Sequence, residues 1–160
     1  VIGRVADAAG AQGMVGGQAI DLQAVGRGGG DGMLDAASLR DMHARKTGAL
    51  IRASAVAGAI MAGATSEQTQ AIDRYAASLG LAFQIVDDVL DVVSTDADLG
   101  KTAGKDAAAN KPTYPALFGL DESRRLARQA ADAAVAALGD APLQGQRLAE
   151  LAEWIVSRTS

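Results

Sequence analysis

Cysteine is absent from this chain of 160 residues, which excludes disulfides and thiolate metal sites. A reducing compartment fits, and a cytoplasmic location is expected. Aromatic residues amount to only 3%, and no strand-length run of β-branched residues is bounded by turns. With Ala abundant, that scarcity favours closely packed helices over a sheet. Dense runs of Lys or Arg are also missing, and the net charge is -4. Nucleic acid is therefore not an expected partner. The longest apolar and small-residue run, 53–64, is too short to span a bilayer. The first ten residues resemble no signal peptide, and no fixed-period repeat occurs. At 49% hydrophobic residues, the chain can bury a sizeable core as one domain or a large part of one.

What is present reads as a succession of helices, so the expected fold class is all-α. The chain does not open on Met, and its first residues carry the pattern of a helix already under way (Val1, Ile2, Val5, Ala8, Ala9). A fragment or a processed product is the expectation. Helices are predicted to about residue 9, over 13–25, and from Asp35 or Ser38 to about residue 62. Ser38 or Asp41 is the expected cap of the third, which has a kink near Gly48. The glycine cluster near 26–32 reads as a flexible loop. Ser66 is the expected cap of a long helix ending near Thr95, and 96–110 reads as a polar loop. A short helix over 114–118, one over 122–138 capped by Asp121, and a last one over 143–158 complete the series.

One stretch stands apart. From Leu79 to Val93 the sequence is apolar except for Gly80, Gln84, Asp87, Asp88 and Asp91. At helical periodicity Gly80, Gln84, Asp87 and Asp91 share a face, with Asp88 beside them. A helix apolar nearly all round is normally buried, and buried carboxylates need cations or metal. A solvated acidic face is the alternative reading. The apolar flanks favour a divalent cation, and Mg²⁺ takes a few carboxylates together with substrate phosphates.

Cationic residues follow. Lys101, Lys105 and Lys111 lie just after the carboxylate helix and suit a polyanionic substrate bridging both sets of charges. Gly100-Lys101-Thr102 is not a phosphate-binding P-loop, because Thr95 stands where that motif requires Gly. Lys46 and Thr47 sit in a helix of apolar and small residues. There Lys46 either snorkels to the surface or points into a cavity. Gly16 and Gly17 either permit a close helix approach or open a helix wall, and Gln18 and Asp21 share a helix face nearby. His43 is the single histidine, read as a surface or packing residue; Trp154 and Ile155 read as core or interface contacts.

Taken together these clusters resemble one family. In order they are Gly-Gly-Gln-Ala-Ile-Asp (16–21), Lys-Thr-Gly (46–48), Phe-Gln-Ile-Val-Asp-Asp-Val-Leu-Asp (83–91), Gly-Lys (100–101) and Lys-Pro-Thr-Tyr-Pro (111–115). The series is similar to the C-terminal half of trans-isoprenyl diphosphate synthases of the bacterial farnesyl or geranylgeranyl type. The resemblance covers essentially the whole chain. It implies an isoprenoid-synthase-type helical bundle, of which residues 1–160 are a single partial domain. It also implies that Asp87, Asp88 and Asp91 hold Mg²⁺ against an allylic diphosphate, with Asp87 as the direct ligand. Lys46, Lys101 and Lys111 would contact that diphosphate, Thr47 and Gln84 would line the reacting carbons, and Gln18 and Asp21 would support the wall.

The implied activity is a prenyltransferase that condenses an allylic diphosphate with isopentenyl diphosphate. A homodimer is the implied assembly. The family's first Asp-rich motif and its isopentenyl site have no counterpart in this sequence. The expectation is thus an enzyme piece that is inactive alone and complemented by an N-terminal half. The alternative is a non-catalytic helical subunit or fragment that binds Mg²⁺-diphosphate or a partner chain.

Overall fold

Each described element forms for a local reason, and each is a helix. The computed structural model describes residues 1–24, 34–97 and 112–158, without the side chains of 94–97. In chain order the elements are α1 (Ile2–Ala9), α2 (Met14–Ala24), α3 (Ala36–His43), a π-helical turn (Ala44–Gly48), α4 (Ala49–Met61), α5 (Ser66–Ala97), α6 (Tyr114–Phe118), α7 (Leu120–Leu138) and α8 (Gln146–Ser157). The all-α reading holds. The loop expected near 26–32 and most of the one expected at 96–110 lie outside the described residues.

Several caps differ from expectation. Asp35, not Ser38 or Asp41, starts α3, its carboxylate accepting from the Ser38 N–H at 2.8 Å. Thr65, not Ser66, caps α5. Its hydroxyl accepts from the Gln68 N–H (3.2 Å), and Gln68 Oε1 accepts from the Thr65 N–H (2.9 Å). That reciprocal box satisfies two amides that a helix start leaves without partners. Asp121 does not cap α7. The boundary falls at Gly119, whose φ of 80° suits a residue without Cβ, and Asp121 instead pairs with Arg124 at 3.5 Å. The last helix starts at Gln146 rather than near residue 143.

The core is built on α5. An alanine stripe on α7 (Ala127, Ala130, Ala131, Ala134, Ala137) is buried, and α7 packs along α5 more extensively than any other pair of helices. Small side chains at helical spacing let the two backbones approach closely, which explains how so few aromatics suffice. Ile72, Ala76, Leu79, Ile85 and Val86 supply the α5 side of this core. Tyr75 is buried, and its hydroxyl donates to the Leu148 carbonyl at 2.8 Å, tying α5 to the entry of α8. Burial alone pushes this phenol up to about 12. Ile155 is buried, whereas Trp154 lies 58% exposed.

On its other side α5 meets α4 and the π-helical turn. Arg52 of α4 grips Asp73 of α5 through two bonds, 3.0 and 2.7 Å. Helix α2 closes against the π-helical turn at Gly17. A Cβ on Gly17 would lie 2.6 Å from Lys46 Cα, so only glycine lets the two backbones touch there. Of the two readings of the Gly16-Gly17 pair, the close approach is realised at Gly17, and it sets the position of Lys46.

Candidate active site

The site is assembled where α2, the π-helical turn, α5 and the start of α6 converge. The irregularity expected near Gly48 takes the form of the π-helical turn, five residues wound wider than an α-helix. Its two central side chains reach opposite neighbours. Lys46 Nζ pairs with Asp21 of α2 at 2.8 Å. Thr47 Oγ1 donates to Gln84 Oε1 of α5 at 2.6 Å. The question of where Lys46 points is thereby answered: it is half-buried and faces inward, its charge balanced by a carboxylate only 16% exposed.

Asp21, Met42, His43, Lys46, Gln84, Asp87, Asp88, Pro112 and Thr113 line one polar cavity of about 60 Å³. That volume holds a few waters but not a diphosphate, so the cavity is the floor of a site open to one side. A larger, mostly apolar cavity of about 340 Å³ lies between α5, α7 and α8. From the 83–91 motif it is lined by the apolar Val86, Val89 and Leu90 and by none of the polar candidate residues, so chemistry rather than size locates the site.

The carboxylates are less buried than the sequence suggests. Asp87 is exposed, and Asp88 and Asp91 are half-buried. The reason is that α5 is covered on the faces toward α4 and α7 but open along the stripe of the acidic motif. Asp88 Oδ2 accepts the Tyr114 N–H at 2.9 Å. Among the described residues no group of three or more His, Cys, Asp or Glu could hold a metal by itself. Mg²⁺ is commonly held by one or two carboxylates plus substrate phosphates, and Asp87, exposed and beside Lys46 and Gln84 on the same cavity, is a carboxylate that could contribute to such a site.

Gln18 is exposed and does not line the cavity, unlike Asp21. Lys101, Lys105 and Lys111 lie outside the described residues. His43 is the residue whose importance the sequence reading missed. It is 5% exposed, with its ring 5.8 Å from that of Tyr114. Burial and the nearby Lys46 cation push its imidazole down to about 4, against a smaller opposing pull from Asp21. Its place three residues before Lys46, on the same helical face, was the available signal.

A family model described as polyprenyl synthetase matches residues 6–150. The chain belongs to the polyprenyl synthetase family. Farnesyl diphosphate synthase of Escherichia coli is 44% identical over 99% of this chain and 52% of its own length. Among solved structures, an FPP/GFPP synthase from Zymomonas mobilis superposes with TM-score 0.76 at 33% identity, covering 98% of this chain and 49% of that one. A polyprenyl synthase from Caulobacter crescentus, complexed with calcium and isoprenyl diphosphate, gives TM-score 0.79 at 29% identity, over 92% and 56%. The chain spans about half the length of the curated relatives it matches.

Proposed function

We propose that this chain supplies the allylic-diphosphate wall of a short-chain prenyltransferase. The reaction is Mg²⁺-dependent, head-to-tail condensation of an allylic diphosphate with isopentenyl diphosphate, of the farnesyl or geranylgeranyl type. The observation that carries this reading is the convergence of Lys46, Gln84 and Asp87 around one cavity, with Thr47 bonded to Gln84, in a member of the polyprenyl synthetase family. Calcium and isoprenyl diphosphate in the Caulobacter crescentus relative lend it support.

Ionisation of an allylic diphosphate needs the leaving group's charge neutralised while a carbocation develops. Lys46 offers a compact point charge for phosphate oxygens, and Asp21 accepts from its ammonium and holds it in place. Asp87, with Asp91 one turn further along α5, would hold the cation. Mg²⁺, when bound, supplies electrostatic stabilisation of the departing diphosphate. Thr47 and Gln84 offer oxygens to developing positive charge, and their mutual hydrogen bond fixes where those oxygens lie. Lys101 and Lys111 complete the cationic set in this reading. Apolar helices around the reacting carbons exclude water from the cation.

A first Asp-rich motif and the isopentenyl site would come from an N-terminal half, and the assembly would be a cytoplasmic homodimer. Exposed apolar side chains on α1 (Ile2), α2 (Leu22), α4 (Met61) and α8 (Trp154) favour a further polypeptide surface against this one. No helix among the described residues is long and apolar enough to cross a membrane. The test is a condensation assay with dimethylallyl and isopentenyl diphosphates plus Mg²⁺. The chain alone should give no product. Adding the N-terminal half of a homologous synthase should restore condensation, and Asp87→Ala should cut the restored rate by about 100-fold or more. Robust turnover by the chain alone, or an Asp87→Ala mixture as active as the unmutated one, would contradict the proposal.

A further inference from the structure

We propose that Asp88 is a positioning residue that anchors the start of α6 to the carboxylate helix. Neighbouring acidic side chains would then do different work, Asp87 facing the open site and Asp88 holding its wall. The inference takes its functional meaning from the reading above, but its structural part stands independently of it.

The anchor is built from three helices. Tyr114 is the first residue of α6, and its backbone N–H donates to Asp88 Oδ2 of α5 at 2.9 Å. The Tyr114 side chain is 5% exposed, with its ring between His43 of α3 (5.8 Å) and Phe118 (5.7 Å). Pro112 is buried two residues upstream and offers no N–H of its own. The short helix therefore depends on a few capping bonds. Thr113 Oγ1 accepts from the Ala116 N–H at 3.3 Å, the Thr113 carbonyl accepts from the Leu117 N–H at 3.1 Å, and Asp88 takes the Tyr114 amide.

A helix of five residues, Tyr114–Phe118, has too few internal bonds to hold itself in place. The bond to α5 on one side, the ring contact with α3 on the other and packing against α7 fix it. Pro112 and Thr113 line the same cavity as Asp87 and Lys46. Loss of the Asp88 carboxylate oxygen, itself part of the cavity lining, would release that stretch of the cavity wall while leaving Lys46, Gln84 and Asp87 in place. The anchoring bond to the Tyr114 amide needs an oxygen acceptor at residue 88, whereas direct metal binding needs the carboxylate's charge.

Amide hydrogen exchange of the ¹⁵N-labelled chain, measured without metal, tests the structural part. Asp88→Ala should speed Tyr114 exchange about tenfold or more, while the amides of Ala131 and Ala134 in the core stay protected. Asp88→Asn retains an acceptor oxygen and should hold Tyr114 within about threefold of wild type, and Asp87→Asn should leave it unchanged. Unaltered Tyr114 exchange in Asp88→Ala, or Asp88→Asn behaving like Asp88→Ala, overturns the proposal. Titration with inorganic diphosphate and Mg²⁺ tests the division of labour. Asp88→Asn should recover most of the affinity that Asp88→Ala loses, whereas Asp87→Asn should lose about tenfold or more. Equal losses in Asp87→Asn and Asp88→Asn overturn it. Should wild type bind no Mg²⁺-diphosphate while Tyr114 exchange follows the expected pattern, the functional reading fails and the anchor stands.

Discussion

At the scale of single residues, His43 makes the sharpest prediction. Its imidazole is buried in the fold beside a cation, with Lys46 and Asp21 the charged groups acting on it. It binds a proton only near pH 4 in the native state, against an ordinary value of 6.5. Between those limits the unfolded chain takes up a proton that the native one refuses, so stability falls as pH drops from about 6.5 toward 4. The full effect is roughly 3 kcal/mol and is present only above about pH 6.5. Urea denaturation as a function of pH should show this slope, and His43→Leu should flatten it; an identical slope in the variant would remove His43 as its source. The sequence disclosed this only weakly, through the three-residue spacing from His43 to Lys46. A lone histidine carries no mark of burial, and the ring beside it, Tyr114, lies far along the chain.

At the scale of elements, Gly17 and Tyr75 show how helices hold the site in position. Adding a methyl group at Gly17 drives it into the backbone at Lys46. Gly17→Ala should destabilise the protein by about 1–3 kcal/mol and weaken diphosphate binding, because the displaced turn carries Lys46 and Thr47. A thermal melt and a binding titration of one preparation check both effects. Tyr75→Phe should cost about 1 kcal/mol through the lost bond to Leu148, with binding unchanged. Helix existence was legible because apolar periodicity survives in α1, α5 and α7, and because Pro and Gly punctuate the connections. Caps were less legible. Ser66 and Thr65 both suit an N-cap, and only the reciprocal bond with Gln68 decides between them. The π-helical turn leaves little trace in composition, since one wider turn preserves most of the helical pattern.

At the scale of the whole molecule, the motif residues from four separate stretches of sequence meet at one cavity, which their order along the chain cannot show by itself. The family resemblance was legible across the whole length because Phe-Gln-Ile-Val-Asp-Asp is a long, specific string. The degree of exposure was not legible. An apolar helix with one acidic stripe reads the same whether that stripe faces a core or an open face, and here Asp87 faces outward. This openness fits a surface that awaits both ligand and further polypeptide. The claim at the centre of the account is that Lys46 and Asp87 jointly hold a metal-bound diphosphate. Calorimetric titration of inorganic diphosphate into the chain, with and without Mg²⁺, tests it most directly. Binding should require Mg²⁺ and weaken about tenfold or more in both Lys46→Ala and Asp87→Ala; Mg²⁺-independent binding, or unchanged affinity in the two variants, would contradict it.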